Sequence, residues 1–125
     1  ILINHVAGAN IEGKTADPEW VSAVKNVAKN KNVYCKISGL FQQSNRQPSP
    51  KDVSFYQSEL DVLWSNFGAD RLIYGSNWPV TMRGGTYAEY LTIVKSFFAD
   101  KPRTAQKKYF YQNALKFYGL PPLKR

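Results

Sequence analysis

The chain has 125 residues, of which 43% are hydrophobic and 14% aromatic, a composition typical of a globular domain with an apolar core. Its single cysteine excludes an internal disulfide and a structural zinc site built from cysteines, and no apolar run approaches the roughly 20 residues of a membrane-spanning helix. The formal net charge is +8 at pH 7, but the basic residues are scattered, which favours solvated helix faces over a nucleic-acid-binding patch.

The first predicted unit is a strand followed by a helix. Residues 1–3 are apolar on successive positions, which predicts a buried parallel strand ending before His5. Because the chain begins within this strand and without methionine, we expect it to be the later part of a longer domain. Asp17 and Pro18 form a strong helix start, an N-cap acceptor followed by proline. The apolar face predicted for this helix consists of Trp20, Val24, Val27 and Ala28.

The second predicted strand covers residues 33–40, and its side chains alternate between two faces. The apolar face carries Val33, Cys35 and Ile37, and the opposite face carries Tyr34, Lys36 and Ser38. Because polar side chains are out of place in a core, we expect Lys36 and Ser38 to line the inside of a barrel near its open mouth. The polar segment 41–49 that follows is predicted to be a structureless lid or binding loop.

The third unit contains the longest predicted helix and the strand that follows it. The helix is predicted to begin near residues 49–52 and to end at Gly68. Its apolar stripe consists of Val53, Tyr56, Leu60, Leu63, Trp64 and Phe67. The strand at residues 71–75 is short and apolar, and Asn77, Trp78 and Pro79 come directly after it. The carboxyl ends of parallel strands are where α/β proteins place their chemistry.

Two helices close the chain. Thr86 and Glu89 form a capping box that predicts the start of the first, and its predicted buried face consists of Tyr87, Leu91, Val94 and Phe98. The second is predicted over residues 104–118, with a buried face of Phe110, Ala114, Phe117 and Tyr118. The resulting β-α-β-α-β-α-α order is typical of a parallel sheet.

Three strands cannot close a barrel, and a (β/α)8 barrel needs about 250 residues. The pattern therefore predicts an α/β fold that is part of such a TIM-type barrel, with about three βα units and a terminal helix. A complete small domain with an open three-stranded sheet is the alternative, although it would leave two hydrophobic sheet edges exposed.

Residues 3–8, 33–40, 70–80 and 113–120, taken together and in this order, resemble the amidohydrolase-related family. The resemblance is to its branch of metal-independent lactonases, such as L-fuconolactone hydrolases. It implies that residues 1–125 form a single partial domain, the C-terminal half of the barrel, with the present strands as the sixth, seventh and eighth. It also implies a His-x-His pair on the first strand, which is absent from this chain.

The resemblance assigns the catalytic residues His5 and Asn77. His5 matches the family's histidine after strand six, where it could polarise a scissile carbonyl or shuttle a proton. Asn77 stands where most members carry an aspartate, which binds metal in metal-dependent members and helps to activate water in lactonases. A carboxamide can neither take up a proton nor bind a cation at neutral pH, but it can hold a water or donate to an oxyanion. A structural role for either residue is the alternative.

Four further residues are predicted to bind substrate. Lys36 and Ser38 would lie in the barrel mouth. Lys36 would bind a substrate carboxylate there or, as the alternative, extend from the barrel wall to solvent. Trp78 could stack on a sugar ring or pack in the core. Arg83 precedes two glycines and a helix start, an arrangement that binds anions in barrels and that is equally typical of a surface turn. No metal ligands are predicted among these residues.

The leading prediction is a hydrolase-like fragment whose full-length parent hydrolyses a lactone or related cyclic ester of a sugar acid or dicarboxylate by attack of water. The isolated chain is expected to be inactive. We expect a small anionic or sugar-like substrate, a cytoplasmic location, no nucleic-acid or membrane partner and no cofactor, while the full-length parent's use of a divalent metal stays open. The alternatives are an inactive homologue, a half-barrel that self-associates through its sheet edges, or a non-catalytic basic module for an anionic partner. That module would use Lys107, Lys108, Tyr109 and Tyr111.

Overall fold

The computed structural model describes residues 1–122 and residue 124. The strands are β1 (Leu2–Ile3), β2 (Tyr34–Ile37) and β3 (Leu72–Tyr74). The helices are α1 (Pro18–Ala28), α2 (Leu40–Gln43), α3 (Gln57–Phe67), α4 (Tyr87–Phe98), α5 (Arg103–Lys107) and α6 (Asn113–Tyr118). A search of the described residues finds no helix with the length and apolar character needed to cross a membrane.

The three strands form one parallel sheet in the order β1-β2-β3. Ile3 lies opposite Cys35, and Cys35 lies opposite Leu72 on the other side of β2. Because the strands run in the same direction, their carboxyl ends meet at one edge of the sheet, which we call the carboxyl edge. The segments that follow the three strands, starting at residues 4, 38 and 75, all begin at this edge. His5, Ser38 and Asn77 therefore lie in segments that start at the same edge.

Two helices begin where the sequence predicts. The Asp17 carboxylate accepts the N–H of Glu19 and Pro18 occupies the first turn of α1. At α4 the Thr86 hydroxyl accepts the N–H of Glu89, and the Glu89 carboxylate accepts the N–H of Thr86 at 2.8 Å. Each cap stabilises its helix by about 1 kcal/mol because it satisfies N–H groups that have no partner within the helix.

The buried face of α4 differs from the prediction. It consists of Tyr90, Ile93, Val94, Phe97 and Phe98. Tyr87 was predicted to be buried and is 43% exposed. Val94 and Phe98 are buried as predicted, whereas Tyr87 was wrong and Tyr90 was missed; the Tyr90 hydroxyl donates to the carbonyl of Ile37 in β2 at 3.1 Å. A buried tyrosine needs such a partner, and this one turns Tyr90 toward the sheet.

The terminal helix also presents a different face. A π turn at Lys108–Gln112 joins α5 to α6 and adds a residue to one turn, so that Tyr109 and Asn113 are buried. Tyr118, which was predicted to be buried, is 51% exposed. The Asn113 amide donates to the carbonyls of Ala69 and Leu72, both at 2.8 Å. The helix thereby supplies hydrogen bonds at the start of β3.

Two sequence predictions on the first half of the chain were wrong. β1 is only half-buried and Ile1 is 76% exposed, because β1 is an edge strand with a neighbour on one side in the described sheet. Segment 41–49 is ordered rather than structureless, because α2 fills its first part and side chains bond its backbone. The buried Ser49 hydroxyl donates to the Phe41 carbonyl at 2.8 Å.

Arg71 ties the helices to the sheet at the opposite, amino-terminal edge. It is only 8% exposed, and its guanidinium donates to four backbone carbonyls at 3.0–3.1 Å. The acceptors are the carbonyls of Ala28, Asn30, Val33 and Asn66. Three of them lie at or just beyond the carboxyl ends of α1 and α3, where the helix dipole favours a cation. The buried charge is therefore balanced by dipoles.

Candidate active site

His5 lies in a backbone turn of left-handed geometry directly after β1. The φ angles of His5, Val6, Ala7 and Gly8 are 50°, 45°, 54° and 68°. This region costs an L-residue roughly 1–2 kcal/mol, and non-glycine residues persist there only where surrounding contacts hold them. Val6 is fully buried, and the Trp20 indole donates to the Ala7 carbonyl at 3.1 Å. The position of His5 is thus held by the core, a pattern that is common at functional sites.

Ser38, at the end of β2, contacts both the backbone and the ring of His5. The His5 backbone N–H donates to Ser38 Oγ at 3.2 Å, and His5 Nδ1 lies 3.0 Å from the same oxygen. Ser38 is only 1% exposed. The Ser38 hydroxyl is therefore bonded to His5 and is not exposed to solvent at the carboxyl edge. Direct substrate binding by Ser38 stays a prediction.

Gly39 forms a close wall beside the His5 ring. A Cβ at this position would lie 2.9 Å from His5 Nδ1, and the φ of Gly39 is +68°. Only glycine meets both conditions, since any other residue would clash with the ring and occupy a strained backbone region. The Nδ1 side of the imidazole therefore lies against Ser38 and Gly39, while His5 as a whole is exposed.

Asn77 follows β3 and also adopts a left-handed conformation, with a φ of 55°, which asparagine tolerates better than most residues. Its amide donates to Gln42 Oε1 at 3.0 Å, and Gln42 Nε2 donates to the Val80 carbonyl at 2.9 Å. Gln42 was not predicted as a site residue, because its segment was expected to be structureless. This pairing gives an amide at position 77 a role that a carboxylate could not fill.

Asn77→Asp is expected to lower the free energy of unfolding by about 1 kcal/mol, because a carboxylate would face the carbonyl oxygen of Gln42 without a donor between them. The measurement is urea denaturation of both chains. The control is the same substitution in a Gln42→Ala background, where the loss should shrink by at least half. Equal losses in the two backgrounds would contradict the contact.

The side chains of Lys36 and Ser38 lie on the same face of the sheet. Both pass close to the backbone of Gly75, in the segment that follows β3. A Cβ on Gly75 would lie 2.7 Å from Lys36 Cδ and 2.9 Å from Ser38 Cβ. The Lys36 ammonium donates to the Tyr118 hydroxyl at 3.4 Å. The ion pairs found among residues 1–122 and 124 do not include Lys36. Its charge is therefore not neutralised by a carboxylate in this part of the chain.

The two remaining predicted residues are on the surface beyond β3. Trp78 is 64% exposed, so the alternative of core packing is wrong, whereas stacking on a sugar ring stays a prediction. Arg83 is also exposed. The helix start behind it is partly filled, because Glu89 caps Thr86 and the Lys51 ammonium donates to the Gly84 carbonyl. An anion there would meet two cationic side chains, those of Arg83 and Lys51.

The donor set at this edge does not fit a metal ion. Within the described ranges, no three His, Cys, Asp or Glu side chains come together in a group that could hold one. His5 Nδ1 faces Ser38, and position 77 offers a carboxamide. Cys35 is fully buried, and burial raises the pKa of its thiol to about 12, so it is an inert core residue. The described residues therefore do not form a metal site by themselves.

The basic module considered from the sequence does not form one surface. Tyr109 is 1% exposed and packs in the core. The Lys108 ammonium pairs with the Asp70 carboxylate at 2.6 Å. Of the four predicted residues, Lys107 and Tyr111 are exposed and are neither packed in the core nor paired with Asp70. The inclusion of Tyr109 was wrong, because the π turn brings it into the core.

The parallel βα units and the polar residues at the carboxyl edge place the chain among α/β proteins of the barrel type. It belongs to the amidohydrolase family, whose family model matches residues 1–120. It is 34% identical over 90 residues to an L-fucono-1,5-lactonase of Burkholderia ambifaria, covering 72% of this chain and 30% of that protein. An L-fucono-1,5-lactonase of Burkholderia multivorans is 29% identical over 110 residues, covering 86% of this chain and 37% of that protein.

A solved amidohydrolase of Burkholderia multivorans with bound zinc superposes with a TM-score of 0.86 and 27% identity. The superposition covers 96% of this chain and 44% of that one. It confirms the predicted fold class, an α/β fold that is part of a TIM-type barrel. The chain spans about a third of the length of the curated relatives, 30% and 37% for the two lactonases. Those relatives are hydrolases, which supports a hydrolase-like function.

Proposed function

We propose that residues 1–125 form a single partial domain, the C-terminal half of an amidohydrolase barrel that hydrolyses a sugar-acid lactone by attack of water. The observation that carries the proposal is the exposed imidazole of His5, which is set in a strained turn against Ser38 and Gly39 at the carboxyl edge. Strained, core-supported residues at the carboxyl ends of barrel strands are typical of catalytic positions. The lactonase relatives support the substrate class.

In the proposed reaction, water adds to the lactone carbonyl carbon, and the carbonyl oxygen becomes an oxyanion that needs a hydrogen-bond donor. His5 polarises this carbonyl. Asn77 uses its amide N–H on Gln42, so its carboxamide oxygen orients the water without taking a proton. A base elsewhere in the barrel takes the proton of the attacking water. When the ring C–O bond breaks, this proton passes to the leaving ring oxygen, so that one water is added across the bond and a hydroxy acid results.

The proposed substrate is small and anionic or sugar-like. Lys36 reaches the carboxyl edge without a carboxylate partner among the described residues, which suits a substrate carboxylate. Arg83 and Trp78 are exposed beyond β3, and an exposed indole provides an apolar face for a sugar ring.

The test is a chimera in which residues 1–120 replace the matched segment of the Burkholderia multivorans L-fucono-1,5-lactonase. Hydrolysis of L-fucono-1,5-lactone releases acid, which is followed with a pH indicator. We expect activity in the chimera and a loss of roughly 100-fold or more in His5→Ala, because the oxyanion loses a donor. The 125-residue chain alone is expected to be inactive.

The matched control is Lys25→Ala, a substitution of an exposed residue on α1 that should leave the rate unchanged. Circular dichroism establishes that each chimera is folded. A folded chimera without activity, or one in which His5→Ala retains the full rate, would overturn the proposal.

A further inference from the structure

The contact between the buried Ser38 hydroxyl and the exposed His5 limits where the proton of the neutral imidazole can reside. Among the described residues, the Ser38 hydroxyl has two hydrogen-bond partners, the backbone N–H and Nδ1 of His5. Ser38 is 1% exposed, so solvent offers little compensation for a polar atom left unpaired. A serine hydroxyl carries one donor hydrogen and two acceptor lone pairs. The hydrogen bonds can therefore be counted.

The backbone N–H of His5 can only donate, so Ser38 Oγ accepts it. If Nδ1 also carried a hydrogen, both nitrogens would donate to the oxygen and the hydroxyl hydrogen would be buried without an acceptor. If Nδ1 is unprotonated, the hydroxyl donates to it and every group is satisfied. A buried donor without a partner corresponds to a preference of roughly 5- to 150-fold for the second arrangement.

We infer that Ser38 is a positioning residue that holds the neutral His5 imidazole in the form with its proton on Nε2. In this form Nε2 has a hydrogen to donate and no lone pair with which to take a proton. His5 then acts as the donor to the carbonyl oxygen rather than as the base that activates water. The catalytic meaning of the inference rests on the proposed function, whereas the location of the proton does not.

The test is long-range proton–nitrogen NMR of the 15N-labelled 125-residue chain at a pH where the ring is neutral. His5 is the only histidine of the chain, so its two ring nitrogens are assigned without ambiguity. We expect the chemical shift of an unprotonated nitrogen at Nδ1 and that of a protonated nitrogen at Nε2. Ser38→Ala should move both shifts toward a mixture of the two forms.

Ser49→Ala is the matched control, because Ser49 is also buried and bonds a backbone carbonyl, that of Phe41. It should leave the His5 spectrum unchanged. A protonated Nδ1 in the unsubstituted chain would overturn the inference even if Ser38→Ala fails to fold. An inactive chimera with the expected spectrum would instead defeat the proposed function and leave the assignment of the proton intact.

Discussion

Gly39→Ala is expected to lower the free energy of unfolding by more than about 2 kcal/mol and to abolish the activity of the chimera. The backbone of Gly39 is left-handed, which costs alanine roughly 1–2 kcal/mol. The new methyl group would also lie 2.9 Å from His5 Nδ1 and 3.3 Å from His5 Cγ. The ring must therefore shift away from Ser38. The measurements are urea denaturation, the His5 NMR signals and lactone hydrolysis by the chimera.

Gly119→Ala separates the effect of the left-handed backbone from the effect of the contact with the His5 ring. Gly119 has a φ of +64°, and a methyl group added there would meet no atom of another segment within 4 Å, so this variant carries the backbone strain without the contact. We expect it to lose about 1 kcal/mol while the His5 signals stay unchanged. If both variants lose the same free energy of unfolding and neither alters the His5 signals, the close contact between Gly39 and the His5 ring is contradicted.

Arg71→Met is expected to lower the free energy of unfolding by about 3 kcal/mol or more. The substitution keeps an apolar side chain of similar length but leaves four carbonyl groups without the donor that now serves them. Buried acceptors without partners cost about 1–3 kcal/mol each when water cannot reach them. Urea denaturation measures the loss.

Arg71→Lys should have a free energy of unfolding between that of Arg71→Met and that of the unsubstituted chain, because an ammonium has fewer donors and lacks the planar fork of the guanidinium. Arg103→Met is the control, since Arg103 is exposed in the first turn of α5 and its replacement should change stability by less than about 0.5 kcal/mol. Equal denaturation midpoints for Arg71→Met and Arg103→Met would contradict the structural role of Arg71.

The fold was largely predictable from local patterns. The alternation of strands and helices, the Asp17 and Thr86 caps and the stop at Gly68 all depend on residues close together in the chain. The faces of α4 and of the terminal helix were not predictable in this way. The Tyr90 hydroxyl bonds a strand 53 residues away, and the π turn at Lys108–Gln112 changes the spacing on which periodicity depends.

The candidate site was also predictable only in part. His5 and Asn77 were assigned by the family resemblance, and both lie shortly after an apolar strand, where parallel pairing brings such positions to one edge. Their partners were not found, because Ser38 is 33 residues from His5 and Gln42 is 35 residues from Asn77. Ser38 was placed on the correct face of β2, but its contact with His5 depends on the left-handed turn after β1.

Composition, periodicity and capping residues were therefore sufficient for the class of fold and for the edge at which polar residues gather, since these follow from interactions within a few residues. The orientation of His5, the contact of its ring with Ser38 and Gly39 and the pairing of Asn77 required the folded chain. Each depends on a hydrogen bond or a close approach between segments that meet only when the sheet forms, and no local pattern specifies such a contact.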